Sequence, residues 1–191
     1  MKKLLFILLL ILTFDLSAQV YPTINSNGYK SEIIDFVKSN KALRDYDFIV
    51  IKSEDSYWHK IINYRLVCFK ENKVDLIEIV KKKKNNRFEI SNQTKGDLAV
   101  YKVLIDSLRM IGLFDLKVAD LITDKLDSLG NIHRHSISDG KSEIFELYNS
   151  KDSWGLDVYE PKEYYDFCGN RNLLIVLNSI DLFNRKWKNK N

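Results

Sequence analysis

Two of the three histidines of the chain, His133 and His135, lie in the stretch NIHRHSISDGKSEIFELY (residues 131–148). The Asp139-Gly140 pair between two strand-like runs is typical of a two-residue β-hairpin turn. With that turn, His133 would face Glu146 across the hairpin, and His135 would share their face. Two imidazoles and a carboxylate are a ligand set for zinc or iron. One hypothesis is therefore a metal-dependent or hydrolytic enzyme using His133, His135 and Glu146.

The same pattern also has an explanation without a metal. Apolar residues, Ile137 and Ile144, would share the face of the histidines, so this face is not cleanly polar. A slip of one residue in the pairing would move Glu146 to the other face. A histidine pair on a half-exposed strand needs no ligand, and we favour this interpretation, in which the chain has no cofactor.

Other catalytic motifs are absent from the sequence. It contains no Gly-x-Ser-x-Gly nucleophile motif and neither the Walker nor the dinucleotide-binding glycine spacing. The two cysteines do not form the Cys-x-x-Cys spacing of a redox site or zinc ribbon. By elimination, the sequence favours a protein that binds over one that catalyses.

Aromatic residues are dense between residues 154 and 168, in WGLDVYEPKEYYDFC. Rings with a polar edge are enriched at binding surfaces. The sequence therefore offers a candidate recognition surface, which we call the aromatic corner: Trp154, Tyr159, Tyr164, Tyr165 and Phe167. The alternative is a strand-to-helix corner whose rings cover the edge of the core.

The first 18 residues have the pattern of a secretory signal peptide. Met1-Lys2-Lys3 is a short basic start, an apolar run follows, and Leu16-Ser17-Ala18 offers small residues to a signal peptidase. The apolar run is about half of the roughly 20 residues that span a membrane. We expect cleavage after Ala18, export to the periplasm or the cell exterior, and one α+β domain over residues 19–191 without a transmembrane segment.

The cysteines and the net charge further limit the classes of protein to which the chain could belong. In an exported protein, Cys68 and Cys168 could form a disulfide, or each could be a separate buried thiol. The formal charge is +4, and basic and acidic residues are interleaved along most of the chain. A nucleic-acid partner is not expected, because such binders usually concentrate their basic residues on one face.

The periodicity of apolar residues predicts helices and strands in separate blocks. Three-residue and four-residue apolar steps indicate helices at 31–43, 96–111, 118–129 and 171–187. Alternation and short turns indicate strands at 47–52, 60–69, 74–81, 87–90, 132–138, 143–148 and 154–159. Strands joined by hairpins, with helices between the blocks, predict an α+β fold with a largely antiparallel sheet.

The function predicted from these features is an exported, non-enzymatic binding protein. Its partner would be another envelope or secreted protein, as for an inhibitor or immunity-type protein. The enzyme described above is the first alternative, and a structural envelope protein without a specific ligand is the second.

Overall fold

Six long strands form one antiparallel sheet in the computed structural model, which describes residues 21, 24–27 and 29–188. The predicted signal peptide lies outside the described residues. The strands of this sheet are β1 Phe48–Ser56, β2 Ile61–Lys70, β3 Lys73–Lys82, β4 Arg87–Gly96, β7 Lys141–Asn149 and β8 Ser153–Tyr159. They stand in the order β4-β3-β2-β1-β7-β8. Two short strands, β5 Lys125–Leu126 and β6 Ile132–His133, pair separately.

Four helices accompany this sheet in the described part of the chain: α1 Glu32–Ser39, α2 Leu98–Met110, α3 Pro161–Cys168 and α4 Arg171–Lys188. The predicted α+β class with a largely antiparallel sheet is confirmed. Helix α2 begins at Leu98, two residues after the predicted start, because the Asp97 carboxylate accepts hydrogen bonds from the amides of Ala99 (2.8 Å) and Val100 (3.2 Å). It ends before Gly112, whose φ of 86° favours glycine.

The sheet separates two apolar cores because successive side chains of each strand point to opposite faces. Strand β1 lies inside the sheet, so Phe48 and Val50 pack on one face while Ile49 and Ile51 pack on the other. We call the face with Phe48 the first face; residues of α2 and α4 complete its core. We call the face with Ile49 the second face; α1 covers it with Ile33, Ile34 and Val37.

A segment near the N-terminus wraps around the edge strand β8. We call it the strap; its described residues are 21, 24–27, 29 and 30. The Tyr21 ring stacks on Phe48 at 5.3 Å, and Ile24 is buried in the core of the first face. At the edge, the Asn27 amide group donates to the Gly155 carbonyl (2.7 Å), and its oxygen accepts from the Gly155 amide (3.3 Å). The strap thus covers part of a sheet edge that would otherwise be open to another strand.

In the second half of the chain, the structure contradicts two sequence-based predictions and adds a helix that was not predicted. The Asp139-Gly140 hairpin does not form, because β7 pairs with the central strand β1 on one side and β8 on the other. The predicted helix 118–129 is only a 3₁₀ turn, Val118–Asp120, followed by β5. Helix α3 was not predicted; Pro161 ends the preceding strand but also occupies the first turn of this helix, where its missing N–H costs nothing.

The two cysteines are free thiols on different sides of the molecule. Cys68 is fully buried in the core of the second face, whereas Cys168, at the end of α3, packs against the core of the first face. The disulfide that the sequence allowed is therefore not formed. No helix among the described residues has the length and apolar character to span a membrane.

Candidate functional site

The predicted metal ligands are not brought together by the fold. Glu146 lies on β7, opposite Ile51 of β1 and Gly155 of β8, and is buried. His133 lies on β6 and is exposed, pairing with Lys125 in the small separate sheet. The hairpin register that placed the trio on one face is absent, so the structure gives no support to the shared ligand set.

Both histidines have other partners. His133 Nε2 lies 3.0 Å from Asp127 Oδ2, and hydrogen bonds from Asn131 and His133 lower the pKa of Asp127. The His135 ring stacks on Phe167 at 5.1 Å. Within the described residues, no group of three or more His, Cys, Asp or Glu side chains has the geometry to hold a metal ion.

The aromatic corner fastens the segment between β6 and β7. The Tyr159 hydroxyl accepts from the Gly140 amide (2.7 Å) and donates to the Ile137 carbonyl (3.2 Å). The Tyr164 hydroxyl lies 3.4 Å from the His135 carbonyl oxygen, and Trp154 is buried against Phe114. These contacts agree with the alternative interpretation, in which the rings cover the edge of the core. Recognition through these residues stays a prediction.

A different pair of aromatic residues is largely exposed to solvent. Tyr57 and Trp58 occupy the turn between β1 and β2, with 85% and 66% of their surface exposed. Their rings meet edge-to-face at 5.2 Å. We call these two residues the aromatic tip. The Lys83 ammonium braces the turn by donating to the Ser56 carbonyl (2.6 Å) and pairing with Asp55, so the rings stand on a supported hairpin end.

A polar pocket of about 420 Å³ opens beside the aromatic tip. Its lining comes from the ends of β1 and β2 and from the turn between them. The lining residues are Lys52, Ser53, Glu54, Trp58, His59, Lys60, Ile61, Asn63 and Arg65. Trp58 belongs to both the tip and the pocket, so the two form one continuous surface.

A buried ion pair supports the floor of this pocket. The Lys52 ammonium binds the Glu143 carboxylate and donates to the Ser53 carbonyl (2.8 Å). The other oxygen of Glu143 binds Lys141 at 3.0 Å, so one carboxylate serves two lysines. Burial lowers the pKa of Lys52, against the opposing effect of Glu143, and the Arg65 guanidinium adds to the lowering.

The charges around the pocket are mixed rather than uniformly basic. Arg65 lies directly opposite Lys52 on one side and Glu78 on the other, and it donates to Asn184 of α4 (2.8 Å). Glu54 is held by Lys141 at 3.0 Å. Such an arrangement can pair with charged groups of either sign on a partner, while Trp58 offers an apolar contact.

Sequence reasoning did not select this site. Strand β1 was predicted to end at Lys52, so the charged residues that follow were not placed on a strand. The residues that follow, SEDS, are all polar and show no strand alternation; pairing with β2 and β7 is what continues β1 to Ser56. The Tyr57-Trp58 pair between two such strands indicated an aromatic turn.

Comparisons of the chain with models of known protein families, with curated proteins and with solved structures found no match.

Proposed function

We propose that the chain is an exported, non-enzymatic binding protein that recognises a partner protein through the aromatic tip and the pocket beside it. The observation that carries this proposal is the exposure of Tyr57 and Trp58 at a braced hairpin end. Tryptophan, tyrosine and arginine dominate the residues that contribute most to binding at protein interfaces. Here all three types occur in one continuous surface, because Arg65 lines the adjacent pocket.

Export is the part of the proposal that depends on the sequence alone. It rests on the basic start, the short apolar run and the small residues before Gln19. Mass spectrometry of the protein from envelope and culture fractions tests it. A chain beginning at Gln19 supports export, and an uncleaved chain found only in the cytosol contradicts it.

The recognition surface can be tested by affinity capture with a matched control. A tagged Tyr57→Ser/Trp58→Ser protein removes the tip, while Met110→Ser/Leu129→Ser removes two other large apolar side chains that are 86% and 84% exposed. We expect the wild type and the control to retain the same envelope or secreted protein and the tip variant to lose it. Retention by all three proteins contradicts the role of the tip, and a wild type that retains no protein supports the structural alternative.

The affinity for the captured partner gives the quantitative test. Truncation of a residue that dominates an interface lowers the binding free energy by at least about 2 kcal/mol. This corresponds to about a 30-fold higher dissociation constant. We expect this loss or more for the tip variant and less than a threefold change for the control. A tip variant that binds as tightly as the control contradicts the proposal.

A further inference from the structure

Glu146 is a buried carboxyl with incomplete hydrogen bonding on the second face of the sheet. It is 1% exposed, and its Oε1 atom has no hydrogen-bond partner among the described residues. Its neighbour on the diagonal, Ser53 of β1, is 2% exposed, and its hydroxyl likewise finds no partner in the described part of the chain. Such groups are rare in folded proteins, because an unpaired buried polar atom costs free energy, and a buried charge costs more.

The strap and the first turn of α1 cover this carboxyl. Gly155 lies directly opposite Glu146 on β8, and the Tyr29 ring occupies the space where a side chain at position 155 would begin. Ser31 stands at the N-terminal cap of α1, yet its hydroxyl makes no bond to the helix and instead bonds the Glu146 carboxyl. The residues that hide Glu146 from water thus belong to the strap and to the start of α1.

The ionisable groups that face Glu146 do not stabilise a negative charge. They are Tyr29 of the strap, Tyr64 of β2 and Asp157 of β8, with Asp55 of β1 and Glu32 of α1 close to Tyr64. Two lysines pair with other carboxylates: Lys81 of β3 with Glu32, and Lys83, the residue after β3, with Asp55. Burial raises the pKa of Glu146 to about 7, the Ser31 hydrogen bond opposes this shift, and Asp157 adds to it.

We propose that Glu146 is a proton-dependent latch for the strap: the protonated carboxyl keeps the strap closed over β8, and its ionisation releases the strap. Ionisation places a charge beneath Tyr29 and Ser31, and opening of the strap is the movement that gives this charge access to water. Release also breaks the bonds between Asn27 and Gly155, which frees the backbone of an edge strand for pairing with another chain. The latch is independent of the aromatic tip.

Hydrogen exchange measured by NMR on the purified chain tests the latch. The readouts are the protection factors of the Gly155 and Tyr29 amides, which both donate to the Asn27 side chain, because protection factors remove the intrinsic pH dependence of exchange. The pKa of Glu146 is near 4.5 with the strap open and near 7 with the strap closed. Opening therefore becomes steadily more favourable as pH rises from about 4.5 to about 7, and above about pH 7 it no longer depends on pH. We expect protection to fall by about one to two orders of magnitude between pH 5 and pH 8, levelling off above about pH 7.

Two variants separate the latch from general destabilisation. Glu146→Gln keeps the shape of the side chain without a titrating proton, and its strap protection should not vary with pH. Gly155→Ala places a Cβ in the space of the Tyr29 ring, and the Tyr29 amide should then be weakly protected at every pH. Amides of the β2–β3 hairpin serve as the internal reference.

Three results overturn the proposal. They are constant protection of the strap in the wild type, an unchanged pH dependence in Glu146→Gln, and a fall that the reference amides share in full. Strong protection of Tyr29 in Gly155→Ala likewise contradicts the proposed contact with the strap.

Discussion

Lys52 and Glu143 form an ion pair that the fold buries almost completely, with 2% and 5% of their side chains exposed. They lie on the neighbouring strands β1 and β7 but not directly opposite, because Lys52 faces Phe145 and Glu143 faces Glu54. Lys141 binds the second oxygen of Glu143. The loss of Glu143 therefore leaves two lysines without this partner, whereas the loss of Lys52 leaves Glu143 with Lys141.

This asymmetry predicts unequal costs for the two truncations. Glu143→Leu leaves the Lys52 charge buried without its paired carboxylate, with the Ser53 carbonyl as its remaining hydrogen-bond acceptor among the described residues. We expect a loss of about 3–5 kcal/mol in the free energy of unfolding. Lys52→Met should cost less, about 1–3 kcal/mol, because the carboxylate keeps a charged partner. Urea unfolding at pH 7 measures both, and equal losses would contradict the shared role of Glu143.

A second prediction concerns the pH dependence of stability. The folded-state pKa of Glu146, about 7, lies above the ordinary value of about 4.5. The folded state therefore binds the proton more tightly, and stability is lost as pH rises from about 4.5 to about 7, by up to about 3 kcal/mol. Glu146→Gln avoids this loss, so it should exceed the wild type at pH 8 by up to that amount and gain little at pH 4.

Unfolding curves at these two pH values measure the difference. Glu163→Gln on the exposed face of α3 is the control, since its side chain lies away from the second face. A gain for Glu146→Gln that is the same at pH 4 and pH 8 would show that the carboxyl does not titrate as described.

A third prediction concerns the aromatic corner. Tyr159→Phe removes the hydroxyl that joins β8 to Gly140 and Ile137, and we expect a loss of about 1–2 kcal/mol in stability. Protease should cut the 134–140 segment faster as well. Tyr57→Phe, at an exposed position, should change neither quantity; a Tyr159→Phe protein that matches it would argue against the fastening role.

A fourth prediction concerns the reactivity of the two free cysteines. Cys168 is partly exposed and should react with a thiol reagent in the native protein, whereas Cys68 should react only after unfolding because burial raises its pKa and blocks access. Cys168→Ala should then cost much less than the roughly 2–5 kcal/mol lost with a native disulfide. Detection of fewer than two thiols in the denatured, unreduced chain would contradict this assignment.

Elements stabilised by neighbours in sequence were predicted closely. Strands β2 and β3 alternate in hydrophobicity and are joined by the short Glu71-Asn72 turn, so their predicted bounds differ from the observed ones by about one residue. Strand β4 was predicted to end at Ile90, but pairing with β3 continues it to Gly96 across a bulge at Glu78 and Ile79. The polar residues after Ile90 have little strand propensity alone, and the partner strand supplies the missing hydrogen bonds.

The arrangement of the histidine site depended on strand pairing, which the sequence did not reveal. The histidine site assumed that 132–138 pairs with 143–148, the nearest strand in sequence. Instead β7 inserts beside β1, about 90 residues earlier in the chain, and Glu146 is buried opposite Ile51. Local hairpin propensity could not outweigh the burial that β7 gains on both faces inside the sheet.

The sequence by itself determined the α+β class, the antiparallel meander of β1–β4 and the helices α2 and α4, because these depend on periodicities of 2 and 3.6 residues and on local turns and caps. Only the tertiary structure decided which charged residues meet. Lys52 meets Glu143, and Glu146 comes to lie beneath the strap, although these residues are far apart in the sequence. Strand order and register set these contacts, and no local pattern encodes the strand order or the register between distant strands.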